Sequence, residues 1–129
     1  MTLKRLVQQR QANIMAEFTI AVVAVVLLIF GGVELARMYH AQQVLSQAAA
    51  EGARFAAIYG GADSVVQDRI EQQLANGGLD PAQVAVEIFA GDWQEPVTVR
   101  LSMPFHFRAP LLDLSYTLGA QHTAQREKY

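Results

Sequence analysis

Phe18-Thr-Ile-Ala-Val-Val-Ala-Val-Val-Leu-Leu-Ile-Phe-Gly-Gly-Val33 contains no charged residue. As a helix rising about 1.5 Å per residue it is about 24 Å long, slightly short of the roughly 30 Å hydrocarbon core of a bilayer. Extension back through Ile14, Met15 and Ala16 supplies the missing length, and it draws Glu17 into the apolar zone. The run is longer than the apolar region of an ordinary secretory signal, about 7 to 15 residues, and Ala36-Arg-Met is a poor cleavage site for one. A membrane span over about residues 14–33 is therefore expected.

Hydrophobic residues make up 52 % of the 129, but so many of them lie in this run that only one small compact domain remains outside it. The net charge of −2 divides unevenly: Lys4, Arg5 and Arg10 face no acid within residues 1–12, so the rest of the chain carries −5. By the positive-inside rule this basic leader stays in the cytoplasm, and the body beyond the span is periplasmic. An acidic body lacks the clustered cations that phosphate binding needs, which argues against nucleic acid as a partner. Without cysteine there is neither a disulfide framework nor a thiolate metal site.

Helical character continues past the span. Glu34 to Tyr59 has no proline and one internal glycine, Gly52. Met38, Ala41, Leu45, Ala48, Gly52, Phe55 and Tyr59 step by three and four, the seam of a helix packed along one side. Its small residues suit a close-packed sheet better than a coiled coil. Glu34 with Arg37 and Glu51 with Arg54 read as i,i+3 pairs of a few tenths of a kcal/mol each. One helical rod of about 45 residues, over 13–59, is expected, with Gly60-Gly61 ending it. Gly31-Gly32 is a weak helix-packing signal.

Residues 60–129 change period. Asp63 or Ser64 can cap a short helix with Val66, Ile70 and Leu74 on its apolar side, stopped by Asn76-Gly-Gly78. Beyond Pro81 the alternation is two: Val84, Val86, Ile88; then Val97, Val99, Leu101, Met103; then Leu114, Tyr116, Leu118. Gly91 and Pro104 read as punctuation between strands. Three short antiparallel strands cannot bury an apolar face alone, so the helical seam is their expected cover. The fold class is α+β: a long N-terminal membrane-spanning helix on a small antiparallel sheet. Trp93 reads as a loop anchor, and the tail 125–129 as frayed.

The most informative stretch lies between the leader and the apolar run: Ala12-Asn-Ile-Met-Ala-Glu-Phe18. It resembles a type IV prepilin signal, in which a membrane aspartyl peptidase cuts after a small residue and the mature chain carries glutamate at its fifth position, followed by an aromatic in the Flp/Tad branch. The resemblance implies a processing site between Ala12 and Asn13, with Glu17 and Phe18 as the assembly residues. Further on, Phe30-Gly31, Glu34-Leu35, Arg37, Gln43, Ala48 to Ala50 and Glu51-Gly-Ala-Arg-Phe-Ala-Ala57 are similar to the TadE-like family of the tight-adherence (Tad) pilus system. That family usually has glycine where Ala12 stands and often proline where Val23 stands; without the proline, a straighter helix is expected. The resemblance implies a pilin-like fold and a minor pilin or pseudopilin of a Tad pilus serving adhesion or secretion. Its implied partners are the membrane, a prepilin peptidase, other pilins and the Tad inner-membrane assembly platform.

A carboxylate near a helix end within the bilayer demands a partner, since acids cost about 2.5 to 3.5 kcal/mol at the span centre and less near an interface. Cleavage would supply one, an α-ammonium at Asn13, about 6 Å along the helix from Glu17. The competing reading makes Glu17 a carboxylate snorkelling to the surface. An enzyme finds little support: His40, His106 and His122 show no zinc spacing, and no nucleophile elbow surrounds Ser115, with Asp113 and His122 as the other letters of a hydrolase. No catalytic, cofactor or metal site is expected. Two rival functions remain, an uncleaved periplasmic assembly factor anchored by the same helix and a membrane-tethered hydrolase or sugar-binding module.

Overall fold

A computed structural model describes residues 2–60, 64–92 and 94–126. Its first element is one continuous α-helix, α1, Thr2–Tyr59, of 58 residues. The rod is longer than the periodicity alone indicates because the leader joins it: residues 2–12 contain no proline or glycine to stop a helix. At the other end Gly60, at φ +90°, takes the left-handed conformation of a helix C-cap and donates its N–H to the Ala56 carbonyl at 3.0 Å.

A second helix, α2 (Ser64–Asn76), buries Val66, Ile70 and Leu74 as expected. Its end is a Schellman turn: Leu79 N–H donates to Leu74 O and Gly78 N–H to Ala75 O, both at 3.0 Å, with Gly78 at φ +83°. Asp80 then accepts from the Ala82 N–H and caps a short 3-10 turn, Pro81–Gln83. Asp63, the other candidate cap, lies outside the described residues, as do Gly61, Trp93 and 127–129 of the tail.

Three strands follow, β1 (Ala85–Ala90), β2 (Val97–Ala109) and β3 (Leu112–Ala124), in an antiparallel sheet of order β1-β2-β3. The alternation locates all three, but β2 and β3 are longer than the apolar letters mark. Pro104 does not punctuate: it lies within β2, opposite Thr117. The β1 ladder ends at Ala85↔Ser102, so Pro104 falls where β2 has a neighbour on one side only, and its missing N–H can be left on the open side.

The core forms where α1 meets both α2 and the inner face of the sheet. Leu45, Ile70, Leu74, Leu101, Val66, Val97 and Val99 are its largest fully buried side chains. The seam is right at Ala41, Leu45, Ala48 and Gly52, but Tyr59 is exposed and stacks on half-buried Phe55, ring centroids 4.4 Å apart. The buried arc also takes in Val44, Ala49, Ala53 and Ala56, because a helix covered by a sheet and a second helix is enclosed over more than one stripe. Small residues let the layers approach. A Cβ on Gly52 would lie 2.6 Å from Ile70 Cγ1 and 3.7 Å from Val99 Cγ1, and one on Gly77 would strike Val44.

The expected ion pairs are half met. Glu34 and Arg37 do pair, Nη1 to Oε1 at 2.7 Å. Glu51 instead turns to Arg69 of α2 at 3.5 Å, while Arg54 is exposed. Docking of α2 brings a cation to Glu51 from outside its own helix, which spacing along α1 could not reveal.

Candidate assembly segment and membrane junction

Two regions of α1 carry the candidate function, the start of its apolar run and the point where it leaves that run. At the start, Ala12, Asn13, Glu17 and Phe18 are all exposed on continuous helix. Asn13 and Glu17 are four residues apart, so they share one face at about 6 Å of axial separation. Neither side chain has a hydrogen bond or ion pair among the described residues. Locally the polar group that is satisfied is Thr19, whose hydroxyl donates to the Met15 carbonyl at 2.9 Å.

The apolar run is long enough to cross a membrane once, and none of its window is buried inside the chain. A core helix of a soluble protein would be covered by its own domain; here Phe18, Ile20, Val23, Leu28 and Ile29 all stand outward. Gly31 and Gly32 face open space, with nothing within 4 Å of where a Cβ would lie, so within this chain they make no packing contact.

At the exit sits Glu34, only 7 % exposed and the one buried charged residue among those described. One oxygen receives Arg37, and the other accepts the backbone N–H of Arg108 on β2 at 3.4 Å. Sequence reasoning treats Glu34 as half of a surface pair. The second bond crosses 74 positions and has no local signal.

Above Glu34 a cleft of about 790 Å³ opens between α1, the 3-10 turn and β2, with Arg37, His40, Asp80, His106 and Arg108 among its polar walls. His40 and His106 thus come to one cleft although distant in sequence, and His40 Nε2 lies 3.0 Å from the Gly77 carbonyl. No group of three metal-ligating side chains forms among the described residues. The hydrolase letters stay apart: Ser115 and His122 are seven residues along β3, about 23 Å at about 3.3 Å per residue, and project from opposite faces.

A long exposed apolar helix continuing into a domain of one further helix and a three-stranded antiparallel sheet is the α+β layout of a pilin-like protein. Residues 14–54 match the family model of TadE-like proteins. That stretch, which includes Glu17, Phe18, Glu34 and Arg37, is where the chain is similar to TadE-like proteins. Neither the curated proteins nor the solved structures yield a match.

Proposed function

We propose that the protein is a minor pilin, or pseudopilin, that takes part in assembling a Tad (Flp) pilus for adhesion or secretion. The observation that carries this reading is the TadE-like match lying over an exposed apolar helix with Glu17 and Phe18 at its head. In this reading Lys4, Arg5 and Arg10 hold the leader in the cytoplasm and the α2–sheet body stands in the periplasm. A prepilin peptidase cuts between Ala12 and Asn13. The new ammonium then pairs with Glu17 of its own or a neighbouring chain, and the pairing sets the register in which the subunit enters the pilus complex. No step uses a metal or cofactor.

The test is intact mass of the membrane-extracted protein after co-expression with a prepilin peptidase. A chain beginning at Asn13 is expected. A full-length chain from the same membranes would favour an uncleaved assembly factor instead.

A further inference from the structure

The β2–β3 hairpin runs back along α1 toward the membrane. Val99 packs at the level of Gly52, and Arg108 reaches Glu34. About 27 Å of helix is thus matched by about 30 Å of strand, so β2 is nearly antiparallel to α1. The ribbon does not stop at Glu34. Ala109, Pro110 and Leu111 carry it roughly 6 to 10 Å further, alongside the last turn of the apolar run around Phe30 and Val33, themselves half exposed.

One face of the ribbon there is apolar, and the other carries exposed Arg108 and Asp113. Leu111, at the turn, is 94 % exposed, and Leu112, Leu114 and Tyr116 are about half exposed. Register puts Phe107 opposite Leu114 and Ala109 opposite Leu112 on one face, while His106, Arg108, Asp113 and Ser115 share the other. Leu111 also has φ +73° in a turn position where glycine is the ordinary residue. A large side chain is kept at a site whose backbone disfavours it. Scattered exposed leucines need no explanation, but a contiguous group at a hairpin end, with Tyr116 beside it, calls for a covering surface.

We infer that the tip of this hairpin, Leu111 with Leu112 and Leu114, inserts into the outer rim of the bilayer that α1 spans. Lipid is the occupant because the tip continues the lipid-facing surface of α1 at the depth where the apolar run ends. Tyr116 lies at headgroup level, the depth at which amphipathic rings collect. Arg108, paired in register with Asp113 between the Leu112 and Leu114 rungs, projects from the opposite face of the ribbon, and its long side chain carries the cation back toward the phosphates. The body is then fixed to the membrane at two points, the helix and the hairpin, and cannot swivel freely about Val33. This inference rests on α1 crossing the membrane, not on which way it crosses.

The absence of cysteine makes single-cysteine labelling clean. Full-length Leu111→Cys, Leu112→Cys, Val26→Cys and Gln72→Cys, each carrying a nitrobenzoxadiazole label, are reconstituted into vesicles of phosphatidylethanolamine and phosphatidylglycerol. Quenching by nitroxide-bearing acyl chains is compared with quenching by aqueous iodide. Blue-shifted emission at 111 and 112, strong lipid quenching and several-fold weaker iodide quenching than at 72 are expected. If the label at 111 is as open to iodide as that at 72 while the label at 26 is lipid-quenched, the hairpin is not in the membrane and the inference fails. It fails equally if 111 is shielded from both quenchers, which means protein covers it. A label at 26 that escapes lipid quenching refutes the span itself, a separate outcome.

Discussion

The Glu34 carboxylate accepts the backbone N–H of Arg108 at 3.4 Å while holding the Arg37 guanidinium at 2.7 Å. One side chain at the exit of the apolar run thereby joins the helix to a hairpin 74 residues away. Its two bonds differ in kind. The first is long-range and fixes where the ribbon lies; the second is local and keeps a buried charge compensated.

Removing the acceptor should therefore cost more than removing the cation. Glu34→Ala leaves a backbone donor and an arginine without their partner, and about 1 to 3 kcal/mol of stability should be lost. Glu34→Gln keeps an acceptor of the same shape and should cost less. Arg37→Ala should cost about 1 kcal/mol, because Arg37 is 63 % exposed and water screens much of the pair. Glu51→Ala, at the looser 3.5 Å pair with Arg69, should cost below about 1 kcal/mol. Urea unfolding of the detergent-solubilised chain, followed by circular dichroism, ranks the four. Equal losses for Glu34→Ala and Glu51→Ala would contradict the assigned role.

Two kinds of glycine should respond oppositely to the same change. Gly52→Ala pushes a Cβ to 2.6 Å from Ile70 Cγ1, so α1 and α2 must separate, at about 1 to 3 kcal/mol. Ile70→Val in the same chain should recover part of that loss. Gly32→Ala meets nothing within 4 Å and gains up to about 1 kcal/mol of helix propensity. Melting temperatures of Gly52→Ala, the Gly52→Ala/Ile70→Val pair and Gly32→Ala decide it. A neutral Gly52→Ala would show that the two helices pack less closely than described.

These contrasts also mark what the sequence could disclose. Period-two alternation at Val84, Val86 and Ile88, and again from Val97 to Met103, found strands because each residue's face depends only on its own place in the chain. The end of β2 was not legible. Whether Pro104 breaks a strand depends on whether a neighbour needs an N–H at that position, and the β1 ladder happens to end opposite Ser102. Similarly, Arg54 has the right spacing for Glu51, but the docked α2 offers Arg69 instead. For the candidate site, the positions of Glu17 and Phe18 at the head of the span were evident from charge against hydropathy. Glu34's contact with Arg108 belongs to tertiary packing and leaves no periodic trace.

The proposed processing site makes a direct demand on side-chain size. The peptidase must hold residue 12 beside the scissile bond, and Ala12 presents only a methyl group on exposed helix. Ala12→Glu should abolish cleavage with insertion unaffected, since the span begins downstream. Ala12→Gly should cleave at least as well as the wild type. Electrophoretic mobility with and without the peptidase reports both, and mature protein from Ala12→Glu would remove the proposed site.

Glu17 separates a role in cleavage from a role in assembly. It lies at the head of the apolar run with no counter-charge among the described residues, so replacing it by an apolar residue lowers the cost of membrane residence. Glu17→Val should therefore insert normally. It should also be processed, provided the peptidase reads mainly Ala12 and the basic leader. In the proposed function the loss falls on what comes after the cut, when the Asn13 ammonium enters an apolar assembly. With Glu17 present that charge has a carboxylate one helical turn away or on a staggered neighbour; with valine it has none. Leaving a buried charge unpaired costs about 3 to 5 kcal/mol, and each 1.4 kcal/mol is about tenfold in association. Recruitment should fall by about two to three and a half orders of magnitude. A carboxylate that merely snorkels to the surface predicts almost no change on the same substitution. Crosslinking from α1 to other pilins, compared between wild type and Glu17→Val at equal membrane abundance, distinguishes the two: undiminished crosslinks with normal piliation would leave Glu17 no part in register.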